Sequence, residues 1–173
     1  MKFKKILLLA FCTWSLCAPF SLAHAADSIK DIKTIAKALG FIKGGPSGTL
    51  TMDILYDPNN PDSVKHADEI AALTARAVGS KVKLEGRKTA SLNSATSQVI
   101  FITRGATSLY NSALQKAVQN KGLTISTDEA CLEIGCVLVV KTKPRVDILL
   151  STKAAEQTNT EFAAAFSMMI KKR

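Results

Sequence analysis

Aromatic residues make up only 6% of this 173-residue chain; tryptophan occurs once, as Trp14, and histidine twice, as His24 and His66. A groove for nucleic acid needs clustered Lys and Arg interleaved with rings on which bases stack. Here the two tyrosines, Tyr56 and Tyr110, stand far apart and the basic residues are scattered, so nucleic acid is not an expected partner. His66 lies in a helical stretch with no motif around it. Together with Cys131 and Cys136 it would lack both a fourth ligand and a familiar zinc spacing, so no metal and no cofactor are expected. A cysteine nucleophile needs a free thiolate with a base beside it. Gly44–Gly48 has a phosphate loop's glycines but not the lysine and hydroxyl that should end one. With no catalytic constellation in view, the chain is not expected to be an enzyme.

What is present begins with an export signal. Lys2, Lys4 and Lys5 form a basic start, Ile6 to Leu16 an apolar middle, and Ala23-His24-Ala25 a small-x-small cleavage site. The apolar middle falls short of the ~20 residues a spanning helix requires. Leu16 is too bulky for the residue before a lipidated cysteine at Cys17. The expectation is a signal peptide over 1–25, cleaved near Ala25, and a periplasmic mature chain. Three of the 23 basic residues and no acidic one lie in that leader, so the formal charge falls from +9 to +6. What remains, about 148 residues, is one ordinary domain with room for a real core. The basic end, Lys171-Lys172-Arg173, is read as complementing a helix carboxyl terminus.

Apolar spacing divides the mature chain. Ile29, Ile32, Ile35, Ala36 and Leu39 trace an amphipathic helix over 27–39, stopped by Gly40. It can dock a partner or membrane surface, or sit on the domain's own sheet, which is the simpler reading. Phe41 to Gly48 reads as a flexible glycine-rich joint, so 26–48 form a helix and joint ahead of an α/β domain over 49–173. Leu50, Met52 and Ile54 mark a first strand, and Asp57 to Ser63 a turn whose last two residues cap a helix from about Val64 to Gly79. Val82 and Leu84 give a short second strand, Gly86 to Ser97 a polar connection, and Val99-Ile100-Phe101-Ile102 a central strand buried on both faces. Leu109 to Val118 form a helix ended by Gly122, and Leu123 and Ile125 a fourth strand. Cys136 to Val140 and Val146 to Leu150 make a hairpin. Ser151 caps a short helix, and Thr160 a last one carrying Phe162, Phe166, Met169 and Ile170 into the core.

This alternation predicts an α/β fold: a single mixed, mostly parallel sheet with helices on both faces and a carboxyl-terminal antiparallel hairpin. Ligands in such sheets bind beyond the carboxyl ends of the parallel strands, where the strand order switches. Three loops are expected to meet there, offering Asp57, Asn59 and Asn60, then Arg104, then Ser126, Thr127 and Asp128. They suit a small-molecule ligand, anionic by preference because two of them lead towards helix amino termini. The same residue types are ordinary turn and cap formers, and Arg104 has Asp57 and Asp128 within sequence reach as ion-pair partners. Cys131 and Cys136, the two cysteines outside the leader, are expected to form a disulfide, either structural or a redox-sensitive latch.

The run Leu123 to Cys131, then Gly135-Cys136-Val137-Leu138, then Arg145-Val146-Asp147-Ile148 and the closing segment Phe162–Ile170 resembles the YfiR family of periplasmic regulators, over roughly Val99 to Ile170. Before that, Leu55 to Asn60 is similar to the first strand and turn of periplasmic solute-binding proteins, and stands where the family commonly has Trp-Pro after its first helix. The resemblance implies a non-enzymatic protein that represses a membrane-anchored diguanylate cyclase, and hence cyclic-di-GMP signalling, by contact with its periplasmic sensory domain. It also implies that Cys131 and Cys136 match a family disulfide that makes repression redox-sensitive. Two functions therefore stand side by side: a regulator whose partner is a membrane signalling protein, and a small solute-binding domain. The first helix and the hairpin edge each offer a surface for a homodimer.

Overall fold

The computed structural model describes residues 27–77 and 81–173. The signal-peptide reading, including its cleavage site and the leader's Cys12 and Cys17, lies outside the described residues, as does Gly79. Helix α1 (Ile29–Leu39) starts at Ser28, whose side chain and amide both bond the Asp31 carboxylate in a capping box. Its apolar stripe is buried from Ile32 onwards, where Ile32, Ile35 and Leu39 join Met52, Ile54 and Phe101 in one buried cluster. The helix therefore sits on the chain's own sheet.

Among the described residues seven strands make that sheet: β1 (Gly48–Leu55), β2 (Val82–Thr89), β3 (Val99–Ile102), β4 (Leu123–Ser126), β5 (Leu138–Lys141), β6 (Asp147–Leu150) and β7 (Lys171–Lys172), in the order β2-β1-β3-β4-β5-β6-β7. From β2 to β5 all neighbours are parallel; β6 returns antiparallel to β5, and β7 adds parallel to β6. The fold is thus α/β with a single mixed, mostly parallel sheet and an antiparallel hairpin near its carboxyl end. Alternate side chains point to opposite faces. Met52, Ile54, Phe101, Leu138 and Val140 face α1 and α2 (Pro61–Arg76), while Leu55, Ile100, Ile102 and Val139 face α3 (Tyr110–Gln119). Helices α4 (Thr152–Gln157) and α5 (Ala164–Ser167) complete the first face through Ala154, Ala155 and Phe166.

Several expectations are corrected. Helix α2 begins at Pro61, not Val64, because the Asn60 side chain takes the Asp62 and Ser63 amides and so does the capping. The second strand runs on through Gly86 to Thr89, hydrogen-bonded along β1 in spite of its polar sequence. At the end of α3 the left-handed residue is Lys121 (φ 51°), not Gly122. Gly122 serves close approach instead, since a Cβ there would lie 1.9 Å from the Gln98 carbonyl oxygen. The joint is pinned at its start: Lys43 and Ala163 donate amides to Glu161 and Phe41, and Phe41 stacks on Phe166 at 5.1 Å. The last helix shrinks to α5, leaving Met168 84% and Met169 70% exposed instead of in the core. Lys171 and Lys172 form an edge strand, not a helix end.

Cys131 and Cys136 are disulfide-bonded, with Cα atoms 5.2 Å apart, and close a short 3-10 turn over residues 129–133. Both are buried in the α3-side cluster with Tyr110 and Leu132. The Cys131 carbonyl accepts the amides of Ile134, Gly135 and Cys136, so the bridge is backed by a folded loop.

Candidate ligand-binding crevice

Strand order reverses at β1, which has β2 on one side and β3 on the other. The chain leaves β1 and β3 towards helices on opposite faces, the arrangement in which such sheets take ligands in a crevice beyond their carboxyl ends. The turn after β1 holds itself: Asp57 Oδ1 accepts the Asn59 amide at 2.9 Å, and the Asp57 amide donates to Ser63 Oγ at 2.9 Å. Ser63 is fully buried, and its Oγ lies 2.7 Å from Thr103 Oγ1. Thr103 Oγ1 donates to the Leu55 carbonyl, so Ser63 supplies the hydrogen between the two hydroxyls. The two walls are joined again where Asn60 Nδ2 donates to the Gly105 carbonyl at 3.0 Å. Gly105 has φ +77°, a conformation that favours glycine, and its backbone passes close beneath the Asn60 amide.

Arg104 is anchored by its own backbone, which donates to His66 Nδ1 at 2.8 Å. With Nδ1 accepting, the neutral ring carries its proton on Nε2, which meets the Asp27 carboxylate in a short hydrogen bond. The Arg104 guanidinium lies 3.6 Å from Asp27 and 3.7 Å from Glu69, in place of Asp57 or Asp128, the ion-pair partners expected from the neighbouring loops. Burial pushes the Asp27 carboxyl up, but the His66 hydrogen bond, the attraction of its N–H and the charge of Arg104 outweigh it and hold the group below the usual carboxylate range. The Thr127 hydroxyl lies close to Asp27 without completing a hydrogen bond to it. It is buried and unpartnered.

The remaining residues of the third loop serve the other face. Ser126 Oγ donates to the Ile102 carbonyl and accepts the Asp128 amide. Asp128 takes the Ala130 amide and the Tyr110 hydroxyl, the latter at 2.8 Å. Burial, then the Asp128 hydrogen bond, drive the Tyr110 pKa well above its ordinary value. Of the seven residues expected around a ligand, the structure therefore gathers Asn60, Arg104 and Thr127 towards the crevice. Asp57 and Asn59 form its rim turn, and Ser126 and Asp128 brace the α3 side. Sequence reading missed Asp27, His66 and Glu69. For His66 the signal was the phase of α2, because Ser63, His66, Ala67, Ile70 and Thr74 make its buried stripe; Asp27 and Glu69 carried none.

Among the described residues no three or more His, Cys, Asp or Glu side chains are grouped to hold a metal ion, and no helix is long and apolar enough to cross a membrane. Two surface cavities, of 270 and 300 Å³, open at the opposite, amino-terminal end of the strands around Gln98 and Val99.

No family model matches the chain, and no curated protein matches it. Solved structures do. A conserved domain protein from Vibrio cholerae O1 biovar El Tor superposes with a TM-score of 0.59 at 16% identity, covering 83% of this chain and 59% of the other. The ligand-free, open form of a substrate-binding protein with adhesive properties from Clostridium difficile gives 0.58 at 13% identity, over 83% and 58%. An ABC domain in complex with L-Trp from Streptococcus pneumoniae gives 0.55 at 11% identity, over 83% and 60%. The chain thus shares their α/β fold while spanning about three-fifths of their length.

Proposed function

We propose that this chain is an exported, non-enzymatic binding module that takes a small molecule in the crevice between the carboxyl ends of β1 and β3. The observation that carries the reading is the gathering of Asn60, Arg104 and the unpartnered, buried Thr127 hydroxyl at the point where strand order reverses. Buried polar groups without partners are rare in native proteins, and a ligand is one way to satisfy them. The likeness in fold to a substrate-binding protein and to a domain holding L-Trp supports the same reading. His66 is poorly placed to be a general base, because its Nδ1 already accepts the Arg104 amide and its Nε2 proton is committed to Asp27. The disulfide favours an oxidising compartment such as the periplasm.

The test is a thermal-shift screen of the mature chain against small metabolites, since a ligand selective for the native state raises its Tm. A hit should bind about ten-fold more weakly to Thr127→Val, the loss of one hydrogen bond to a ligand. A screen without hits overturns the binding-module reading, and a hit indifferent to Thr127→Val overturns the crevice as the site.

A second reading, a YfiR-like regulator of a membrane diguanylate cyclase, is favoured by a different observation. Phe41, Met168 and Met169 are exposed around α5, an apolar patch suited to protein contact. Pull-down of the tagged mature chain from solubilised membranes tests it: recovery of a membrane signalling protein that Met169→Asp abolishes supports it, and recovery of none removes it.

A further inference from the structure

The carboxylate of Asp27 is held as a bound ligand would be. Asp27 precedes the Ser28 cap and belongs to no helix or strand. Its side chain is nonetheless only 8% exposed and enters the crevice from outside the elements that build it. Two separate elements hold it, His66 on α2 and Arg104 on the turn after β3, and the Thr127 hydroxyl on the loop after β4 lies beside it without a hydrogen bond. These receiving groups are hydrogen-bond donors or cationic, the set that recognises a carboxylate.

Two further facts separate the site from its occupant. Helix α1 keeps its own cap, since the Ser28 amide and hydroxyl bond Asp31 at 2.6 and 2.7 Å, so it does not depend on Asp27. The receiving set also has capacity that Asp27 leaves unused, because the Thr127 hydroxyl is 91% or more buried by residue exposure and finds no hydrogen-bond partner. A purely structural knot would leave no donor wanting at its centre.

We infer that His66, Arg104 and Thr127 form a recognition site for a small-molecule carboxylate, and that Asp27 occupies it as a built-in competitor which the ligand displaces. The inference rests on the crevice being the binding site and adds the ligand's class. A ligand entering such a site binds with its intrinsic affinity reduced by the fraction of molecules in which Asp27 has left. Glu69, 3.7 Å from Arg104, stays in place during the exchange and favours ligands that approach Arg104 from the Asp27 side.

Sodium acetate, the side chain of aspartate as a free molecule, is the probe. It is titrated against Asp27→Ala and wild type, with sodium chloride at equal ionic strength as the control, following Tm and binding heat. The expected result is a saturable, acetate-specific Tm rise in Asp27→Ala, with affinity at least about ten-fold above wild type, lost when Arg104→Ala is added. Equal response of the two chains, or equal effects of acetate and chloride, overturns the inference. Should Asp27→Ala fail to fold in chloride, recovery of its fold by acetate supports the inference and failure in both salts overturns it. The metabolite screen is read separately. A crevice ligand without a carboxylate, bound equally by wild type and Asp27→Ala, keeps the binding-module reading and removes Asp27 as competitor. Acetate rescue beside an empty screen keeps the carboxylate site and removes that reading.

Discussion

Asp27 carries a pH dependence whose sign follows from its surroundings. Its folded-state pKa is depressed below the ordinary 3.8 by His66 and Arg104 against the opposing effect of burial. The stability it contributes is therefore fully present above the unfolded value and disappears as pH falls through the folded one. Urea unfolding from pH 7 to 2 should show wild type and Asp27→Asn converging at the acid end and separating above about pH 4. A constant gap across that range would refute the assignment. Thr127→Val removes a buried hydroxyl that has no partner, so the apo protein should be unchanged or stabilised by up to about 1 kcal/mol in the same assay. Gly122→Ala should do the opposite, losing about 3 kcal/mol or more, because its methyl would meet a backbone carbonyl that cannot rotate away. None of these residues announced its role in the sequence. Asp27 lies next to the leader, Thr127 looks like one more turn hydroxyl, and Gly122 mimics a helix stop that Lys121 in fact supplies.

Elements with a strong period were legible: α1, β1, β3 and the β5–β6 hairpin fall where alternation or three-and-four spacing put them. Elements set by partners were not. The second half of β2 is polar, yet β1 provides a complete ladder for it. The α5 region has helical spacing, but Phe162 is drawn into a bridge with Ile42 and the chain then turns to pair with β6. The buried face of α2 includes the polar Ser63, His66 and Thr74 beside Ala67 and Ile70, so apolar spacing alone hid His66 and with it the centre of the candidate site. The disulfide was legible from compartment and count, and its energetics belong to this scale. A ring this small removes limited chain entropy, so Cys131→Ala with Cys136→Ala should cost about 2 kcal/mol. Hydrogen exchange should show the loss of protection confined to the turn over 129–133 and its flanks, with β1 and β3 unaffected. Spread of the effect to those strands would contradict a local role.

For the whole molecule, the fold class was readable because helices and strands alternate, and the place to look for a ligand follows from strand order alone. Which loop residues would face it was not readable, since adjacent residues in a loop point to opposite sides of the sheet, as Thr127 and Asp128 do. The two sheet edges differ in a testable way. Strand β7 covers β6, with the Arg173 amide bonding the Leu150 carbonyl and the Thr152 amide returning to Arg173. Removing residues 171–173 should uncover the β6 edge and produce concentration-dependent self-association in sedimentation velocity, where the full chain stays at one size. An unchanged sedimentation profile would show that β7 is dispensable as an edge guard.

The seam between the two ends of the chain sets an order of events. Lys43 and Glu161 meet across 118 positions of sequence, and the phenylalanine rings beside them stack only when both segments are in hand. A polypeptide emerging amino end first therefore offers its earliest helix no finished seat until nearly every other residue has followed. Closure over so long a span is slow to form.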